Sequence, residues 1–179
     1  MELSIRSART EDTSAVRKFV LSTLSELGIK TLARKVYRDL FDLKNAYSRQ
    51  NGEFFIVEEN DQTIGTIGVF GIDRDLAQIR RYYVDSKFRG KGIGRKLLKC
   101  VFAFCKKRKY NAIIAVTEIE LKRAYEVYLK AGFEPFRQTP RVNYLVKYLG
   151  RKTKKLSAKV EETYWINDWD GKIWKKRAK

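Results

Sequence analysis

The sequence contains no histidine, only two cysteines and no long apolar run, and each shortage excludes a class of protein. Without histidine, the 179 residues cannot form a Ser-His-Asp triad, a histidine general base or a histidine-containing zinc site. Cys100 and Cys105 match neither the paired CxxC of a metal site nor a disulfide framework. Any chemistry must therefore use carboxylates, tyrosines, lysines, cysteines or backbone groups.

No stretch approaches the roughly 20 consecutive apolar residues that a membrane helix needs. The first twenty residues carry several charges, among them Arg6, Arg9 and Glu11, which interrupt the apolar core of a secretory signal. We therefore expect a cytoplasmic protein that does not enter a membrane, a setting in which both thiols stay reduced.

Positive charge is abundant, because 39 lysine and arginine residues face 21 acidic ones and the formal net charge is +18. A field of this sign attracts polyanions, such as a cofactor with several phosphates, a nucleic acid or an acidic surface. The net charge alone does not distinguish among these three kinds of partner.

The apolar pattern predicts an α/β fold. Helical spacing indicates four helices, at 10–28, from Leu32 to a break at Asn51-Gly52, at 92–107 and at 124–132. Strand-like runs lie at 3–5, 54–57, 63–70, 79–84, 112–116, 133–136 and 143–149. The run 112–116 is apolar throughout, so we expect a central strand beside 79–84, joined to it by a helical crossover. This order predicts a mixed sheet with helices on both faces.

One loop is rich in glycine: Arg89-Gly90-Lys91-Gly92-Ile93-Gly94-Arg95 follows a strand and opens a helix. Glycines let successive N–H groups converge, and the helix N-terminus adds unpaired donors, so the loop can cradle a phosphate. The alternative is a turn that binds nothing. The GxxxxGK[ST] pattern is absent, and GxGxxG fails because Arg95 occupies the third glycine position. The pattern [QR]xxGx[GA] is met by Arg89, Gly92 and Gly94.

On these residues the chain resembles the GCN5-related N-acetyltransferase (GNAT) family, in which this motif binds the pyrophosphate of coenzyme A. The segment 81–85 is similar to the bulged strand of that family, and Ala124, Tyr128 and the Gly132-Phe133 pair resemble its closing motif. The resemblance covers residues 3–149. It implies a mostly antiparallel sheet with helices on both faces and a parallel, splayed central strand pair. Leu121 departs from the pattern, since an asparagine that contacts the cofactor commonly stands there.

The resemblance also implies the site residues. Acetyl-CoA would be bound by Tyr82, Tyr83, Val84, Arg89, Gly90, Lys91, Gly92, Ile93, Gly94 and Arg95. The backbone N–H near Val84 would stabilise the oxyanion, and Tyr128 would protonate the departing thiolate, although an aromatic residue at 128 could also serve packing alone. Glu118 is the first choice among nearby carboxylates for a base, with Glu120 and residues 73 and 75 as others. Deprotonation through water would need no dedicated base.

These features predict an N-acetyltransferase in which an amine, on a protein N-terminus, a lysine or a small molecule, attacks acetyl-CoA directly within a ternary complex. We assign residues 1–149 to this domain and 150–179 to a basic tail that contains Trp165, Trp169 and Trp174. Basic and aromatic residues together are typical of single-stranded nucleic acid binders. The alternative function is therefore a nucleic-acid- or ribosome-associated binding module with a secondary or inactive transferase core. The sequence does not indicate an oligomeric state.

Overall fold

The structure is a computed structural model that describes residues 3–29 and 34–163. The strands are β1 (Leu3–Ser7), β2 (Glu53–Glu59), β3 (Gln62–Gly71), β4 (Leu76–Val84), β5 (Ala112–Glu118), β6 (Glu134–Gln138) and β7 (Val142–Tyr148). The α-helices are α1 (Thr13–Glu26), α2 (Leu43–Ser48), α3 (Ile93–Lys107), α4 (Lys122–Lys130) and α5 (Lys154–Glu162). Short 3₁₀ helices lie at Thr10–Asp12, Arg34–Phe41 and Ser86–Phe88.

All seven strands form one sheet in the order β1-β2-β3-β4-β5-β7-β6. Every neighbouring pair is antiparallel except β4 and β5, which are parallel and joined through α3. The predicted mixed, mostly antiparallel sheet with one parallel central pair is therefore confirmed.

The parallel pair is short. β4 and β5 are in register only from Leu76 opposite Ala112 to Gln78 opposite Ile114, although β4 continues to residue 84 and β5 to residue 118. β5 meanwhile stays paired with β7 over its whole length. Beyond Gln78 the two central strands separate, and a wedge opens between their C-terminal halves.

Helices cover both faces of this sheet. The periodic apolar residues of α3, including the fully buried Leu97 and Val101, pack on one face together with Tyr128 and Phe133. The helix α1, the segment 34–41 and α2 form a second core on the other face over β2.

The predicted helix from Leu32 to the break at Asn51-Gly52 is interrupted, although helical order does end before that break. Tyr37 leaves the helical region (φ −115°, ψ 25°) within the 3₁₀ segment, and α2 begins only after Asp42, whose side chain accepts a hydrogen bond from the Asn45 N–H. Leu40 and Asp39, which follow the break, are both buried. The predicted start of this helix, Leu32, lies outside the described residues.

The helix α5 was not predicted. Its buried residues Leu156 and Val160 pack against β4, β5 and β7, so the first part of the basic tail contacts the sheet. The three tryptophans, and the hairpin that Asp170-Gly171 could form, lie outside the described residues. None of the helices in the described part of the chain has the length and apolar character needed to cross a membrane.

Candidate active site

The open edge of the wedge is formed by a bulge in β4. The register between β3 and β4 shifts between Thr66 and Gly68, and Arg81 takes a left-handed conformation (φ +52°). The Thr66 hydroxyl donates a 2.8 Å hydrogen bond to the Arg81 carbonyl. The bulge predicted for the segment 81–85 is therefore present.

The main chain of Val84 faces the wedge. The Asp85 N–H donates to the Ile64 carbonyl at 2.9 Å, and Val84 is the register partner of Gly65. In an antiparallel ladder the residue next to a hydrogen-bonded pair turns its N–H and C=O to the other side. The N–H of Val84 consequently points away from β3, toward the space that β5 has left.

A buried ion pair holds the bulge against the segment 34–41. Arg81 donates to both carboxylate oxygens of Asp39, at 2.9 and 2.7 Å, and the Tyr47 hydroxyl donates to the same carboxylate at 2.8 Å. The side chains of Arg81 and Asp39 are 13% and 8% exposed. Burial alone would raise the pKa of Asp39, but Arg81 outweighs it and holds that pKa below its usual range.

The glycine loop presents a row of main-chain donors. Gly90 and Gly92 have φ angles of +83° and +80°, and a Cβ at either position would meet open space. Within residues 3–29 and 34–163, no backbone or side-chain group accepts a hydrogen bond from the N–H groups of residues 90–95. Six successive amides at the N-terminus of the 15-residue helix α3 are thus available to an anion, which is the arrangement a pyrophosphate requires.

Two basic side chains support this loop. The Arg89 Nε donates to the Val84 carbonyl at 2.9 Å, so Arg89 ties the loop to the end of β4. The Lys91 ammonium lies 4.9 Å from the centre of the Phe88 ring. Arg95 is exposed on the first turn of α3.

Two tyrosines line the α3 side of the wedge. The rings of Tyr82 and Tyr128 are 5.8 Å apart, and Phe133 packs on Tyr128 at 5.2 Å. A Cβ at Gly94 would overlap the Tyr82 hydroxyl, so glycine permits this close approach to α3. Tyr128 is 5% exposed, and burial, with a smaller effect of Tyr82 and Tyr83, raises its pKa well above the ordinary value.

The carboxylate of Glu118 lies on the opposite strand of the wedge. Glu118 is the last residue of β5 and is half-buried. Burial, and then the charge of Glu120, raises its pKa. Burial raises the pKa of the Tyr37 and Tyr83 phenols, and the charge of Glu118 adds a smaller effect in the same direction. The structure therefore brings Glu118 and Tyr83 to the same end of the two central strands.

The expectation that Asp73 and Asp75 lie near the acceptor is wrong. Both precede β4 and so lie at the far end of the strands, where Lys159 of α5 forms ion pairs with both of them. Asp75 also accepts a hydrogen bond from Asn111. These carboxylates attach α5 to the sheet.

Sequence reasoning missed Asp39, Arg80 and Thr117. Two consecutive arginines inside an otherwise apolar strand were a usable signal, because a strand buries a charge only where it has a partner. Asp39 gave no such signal. The Thr117 hydroxyl is buried and has no hydrogen-bond partner within the described part of the chain. No group of acidic or cysteine side chains suited to a metal ion occurs among the described residues.

Comparisons with known proteins agree with this geometry. The model of the acetyltransferase (GNAT) family matches residues 19–133. N-acetyltransferase 8 of Rattus norvegicus is 27% identical over 109 residues, which are 58% of this chain and 49% of that protein. An N-acetylaspartate synthetase of Xenopus tropicalis is 29% identical over 120 residues, 66% of this chain and 41% of that protein. The matched region thus spans about half or less of these relatives.

Solved structures share the fold. A GNAT-family acetyltransferase from Staphylococcus aureus Mu50 superposes with a TM-score of 0.77 at 22% identity, covering 83% of this chain and all of that one. The PaiA N-acetyltransferase from Thermoplasma acidophilum, solved in complex with coenzyme A, has a TM-score of 0.69 at 17% identity, covering 83% and 99%.

Replacing Asp39 by alanine should destabilise the protein by about 3–5 kcal/mol, because Arg81 would keep its buried charge without the carboxylate that binds it. Urea unfolding at pH 7 measures this difference. Since the pKa of Asp39 is lowered from 3.8, the stabilisation is present above that value and is lost as the pH falls through the folded-state pKa. The difference between the two proteins should therefore shrink in acid.

The control is Asp42→Ala, which removes an exposed helix cap and should cost about 1 kcal/mol at a position three residues away. Equal unfolding midpoints for Asp39→Ala and the unmodified protein would contradict the assignment.

Proposed function

The chain belongs to the acetyltransferase (GNAT) family, and we propose that it transfers the acetyl group of acetyl-CoA to an amine by direct attack within a ternary complex. The observation that carries this proposal is the row of six unpaired amides at residues 90–95, set directly beyond a bulged strand that has parted from its parallel neighbour.

The main chain of this loop would bind the pyrophosphate of acetyl-CoA. Six N–H groups and the dipole of α3 favour an anion at this point, and Lys91 and Arg95 add positive charge beside it. The separated edge of β4 at residues 82–84 offers further main-chain groups to the extended pantetheine arm. Bound acetyl-CoA supplies an acyl group activated as a thioester.

Three groups of the chain would then carry the transfer. The Val84 N–H would donate to the oxyanion that develops on the carbonyl. Tyr128 would give its proton to the departing thiolate. Glu118, on the other strand of the wedge, would accept the proton of the attacking amine, directly or through water.

The amine itself remains a choice among a protein N-terminus, a lysine and a small molecule. One relative bears the name N-acetylaspartate synthetase, which keeps small amines within the proposal. We place the transferase site within residues 1–149, with α5 of the tail covering one part of its sheet. The nucleic-acid alternative depends on tryptophans outside the described residues and draws no support from the contacts of α5.

Replacing Gly92 by aspartate should abolish tight acetyl-CoA binding, because a carboxylate would enter a cradle built for an anion. We expect a loss of at least about 100-fold, or about 2.7 kcal/mol, by isothermal titration calorimetry. Gly28→Asp is the matched control, since Gly28 also has a positive φ (+70°) and open space around its Cβ but follows α1. Equal losses of acetyl-CoA affinity in the two variants would show that backbone strain causes the effect, and would contradict phosphate binding by this loop.

Removing the Tyr128 hydroxyl should lower kcat and leave acetyl-CoA affinity unchanged, because the phenol acts only when the thiolate departs. For Tyr128→Phe we expect a decrease of about 100-fold, within the range of general acid catalysis. Tyr125→Phe removes a hydroxyl from the same helix and should keep full activity. A Tyr128→Phe enzyme with unchanged kcat would show that this ring serves packing alone.

Glu118 should impose an acidic limb on the pH profile of kcat/KM. Because its pKa is raised, activity should fall as the pH drops through that value and the base becomes protonated. Glu118→Gln should lower the maximal kcat/KM about 100-fold. It should also remove this acidic limb, so that only the ionisation of the amine, at higher pH, shapes the profile.

Glu120→Gln is a second variant that tests whether Glu118 causes the acidic limb. It removes the neighbouring charge that, after burial, raises the pKa of Glu118. The acidic limb of the kcat/KM profile should therefore move to lower pH, while the maximal kcat/KM should stay unchanged. If Glu118→Gln kept both the plateau and the limb, deprotonation through water without a dedicated base would replace this assignment.

A further inference from the structure

Four segments meet at the end of the sheet that is remote from the wedge: residues 49–52, 71–75, 106–111 and 149–155. The first three precede β2, β4 and β5 and the last follows β7, so all four lie beside the paired, N-terminal ends of β4 and β5. The Tyr110 hydroxyl donates to the Asn51 carbonyl at 3.0 Å, and the Leu149 N–H donates to the Asn111 carbonyl at 3.0 Å. We call this surface the basic end.

The basic end carries ten lysine or arginine residues and two acidic ones. The acidic pair, Asp73 and Asp75, is bound by Lys159 of α5. Two of the ten basic residues, Arg74 and Lys152, each lie beside a carboxylate. The other eight are exposed and form no ion pair with any residue that the structure describes: Arg49, Lys106, Lys107, Arg108, Lys109, Arg151, Lys154 and Lys155. Positive charge at this end is therefore left without a partner inside the fold.

The helix dipoles explain only part of this charge. Lys106 and Lys107 lie in the last turn of α3, where the partial negative charge of a helix C-terminus favours a cation. Lys154 and Lys155 instead open α5, whose first turn holds no acidic residue. There the partial positive charge of the helix N-terminus opposes them. The electrostatics of the fold thus disfavour two of the charges that the basic end presents.

Lys109 also lies where another residue would be more stable. It follows the C-cap of α3 in a left-handed conformation (φ +60°). Glycine is the usual residue at such a position, because it has no Cβ to clash with the backbone. A lysine here adds positive charge to the basic end at a cost in conformational energy.

Phosphate groups are the partner that this surface fits. A membrane-inserting surface or one that stacks on single-stranded bases needs exposed apolar or aromatic side chains. Among the described residues only Phe41 and Leu129 are large, apolar and exposed, and neither belongs to the basic end. The five neighbouring strands from β2 to β7 span about 19 Å. A duplex carries one charge per about 1.7 Å of its axis, so a surface of this width faces several phosphates at once.

We propose that the basic end binds the sugar–phosphate backbone of a double-stranded nucleic acid without reading its sequence. The 15-residue helix α3 separates this surface from the glycine loop by about 22 Å. Binding here leaves the loop and the wedge open, so it adds to acetyl transfer and does not replace it. It also needs none of the tryptophans of the tail.

Fluorescence anisotropy of the full chain with an RNA duplex and a DNA duplex, each of about 20 base pairs, tests this binding at salt concentrations between about 50 and 300 mM. We expect micromolar affinity at the lowest salt. The plot of log affinity against log salt should have a slope of about −4, the value for four to five phosphate contacts on B-DNA. Binding to neither duplex, or a slope near zero, would overturn the proposal.

Two double variants locate the contact. Lys107→Gln combined with Lys154→Gln should reduce the magnitude of the slope by about 2, since each lost phosphate contact accounts for about 0.9. Affinity at about 100 mM salt should fall at least about 10-fold. Lys18→Gln combined with Lys122→Gln removes the same charge from exposed positions on α1 and α4 and should change the slope by less than about 0.5. Equal changes in the two double variants would show that net charge, and not this surface, causes the binding.

Lys109→Gly separates binding from stability. The glycine should raise the Tm by about 2 °C, because it relieves the left-handed lysine. It should also weaken duplex binding about 5-fold by removing one phosphate contact. A variant that is more stable and binds less tightly cannot have lost affinity by unfolding. Unchanged affinity in Lys109→Gly and in the double variant of the basic end would refute the proposal.

Two competition experiments identify the occupant. Saturating acetyl-CoA should leave the duplex bound, whereas its displacement would place the nucleic acid on the glycine loop and overturn the assignment to the basic end. Vesicles of phosphatidylserine and phosphatidylcholine should bind the chain less tightly than the duplex does at the same salt concentration. Binding to these vesicles without binding to either duplex would replace the nucleic acid by a membrane surface and refute the proposal.

Discussion

The separation of β4 from β5 after three paired positions is the constraint on which the rest of the site depends. A parallel pair that continued to residue 84 would satisfy its own main-chain groups and leave no room for a ligand. Because β5 instead remains paired with β7 to its end, β4 alone turns away, and the N–H of Val84 faces an open wedge. Buried main-chain donors without partners are costly, so such a wedge is suited to a ligand that supplies the missing acceptors.

The departure of β4 is maintained by side chains from a distant part of the chain. Arg81 holds a left-handed conformation that a non-glycine residue adopts at a cost of about 1–2 kcal/mol, and its guanidinium is bound by Asp39, 42 positions earlier. A buried ion pair contributes little net stability but strongly disfavours arrangements that separate its charges. The pair therefore specifies the shape of the bulge and also fixes the segment 34–41 against β4.

The two sides of the wedge differ in chemistry. On the α3 side lie main-chain amides and buried phenols, which suit an anionic cofactor and a departing thiolate. On the other side lie the side chains of Arg80 and Glu118, one of each charge. In the proposed reaction the two substrates would meet at Val84 from opposite faces of one sheet, and none of the proposed steps needs the histidine that the chain lacks.

The sequence by itself determined the features that depend on neighbouring residues. The glycine loop, the helix that follows it and Tyr128 on α4 could be predicted, because periodicity, turn chemistry and motif spacing are local, whereas the bulged strand was predicted from the resemblance to the GNAT family. Tertiary structure alone decided which distant groups meet. It paired Asp39 with Arg81, broke the expected helix at Tyr37, and placed Arg80 on the face of the sheet opposite α3. It also moved Asp73 and Asp75 to the far end, where they hold the unpredicted α5. These outcomes follow from strand register and from the burial of charge, which a one-dimensional pattern does not encode.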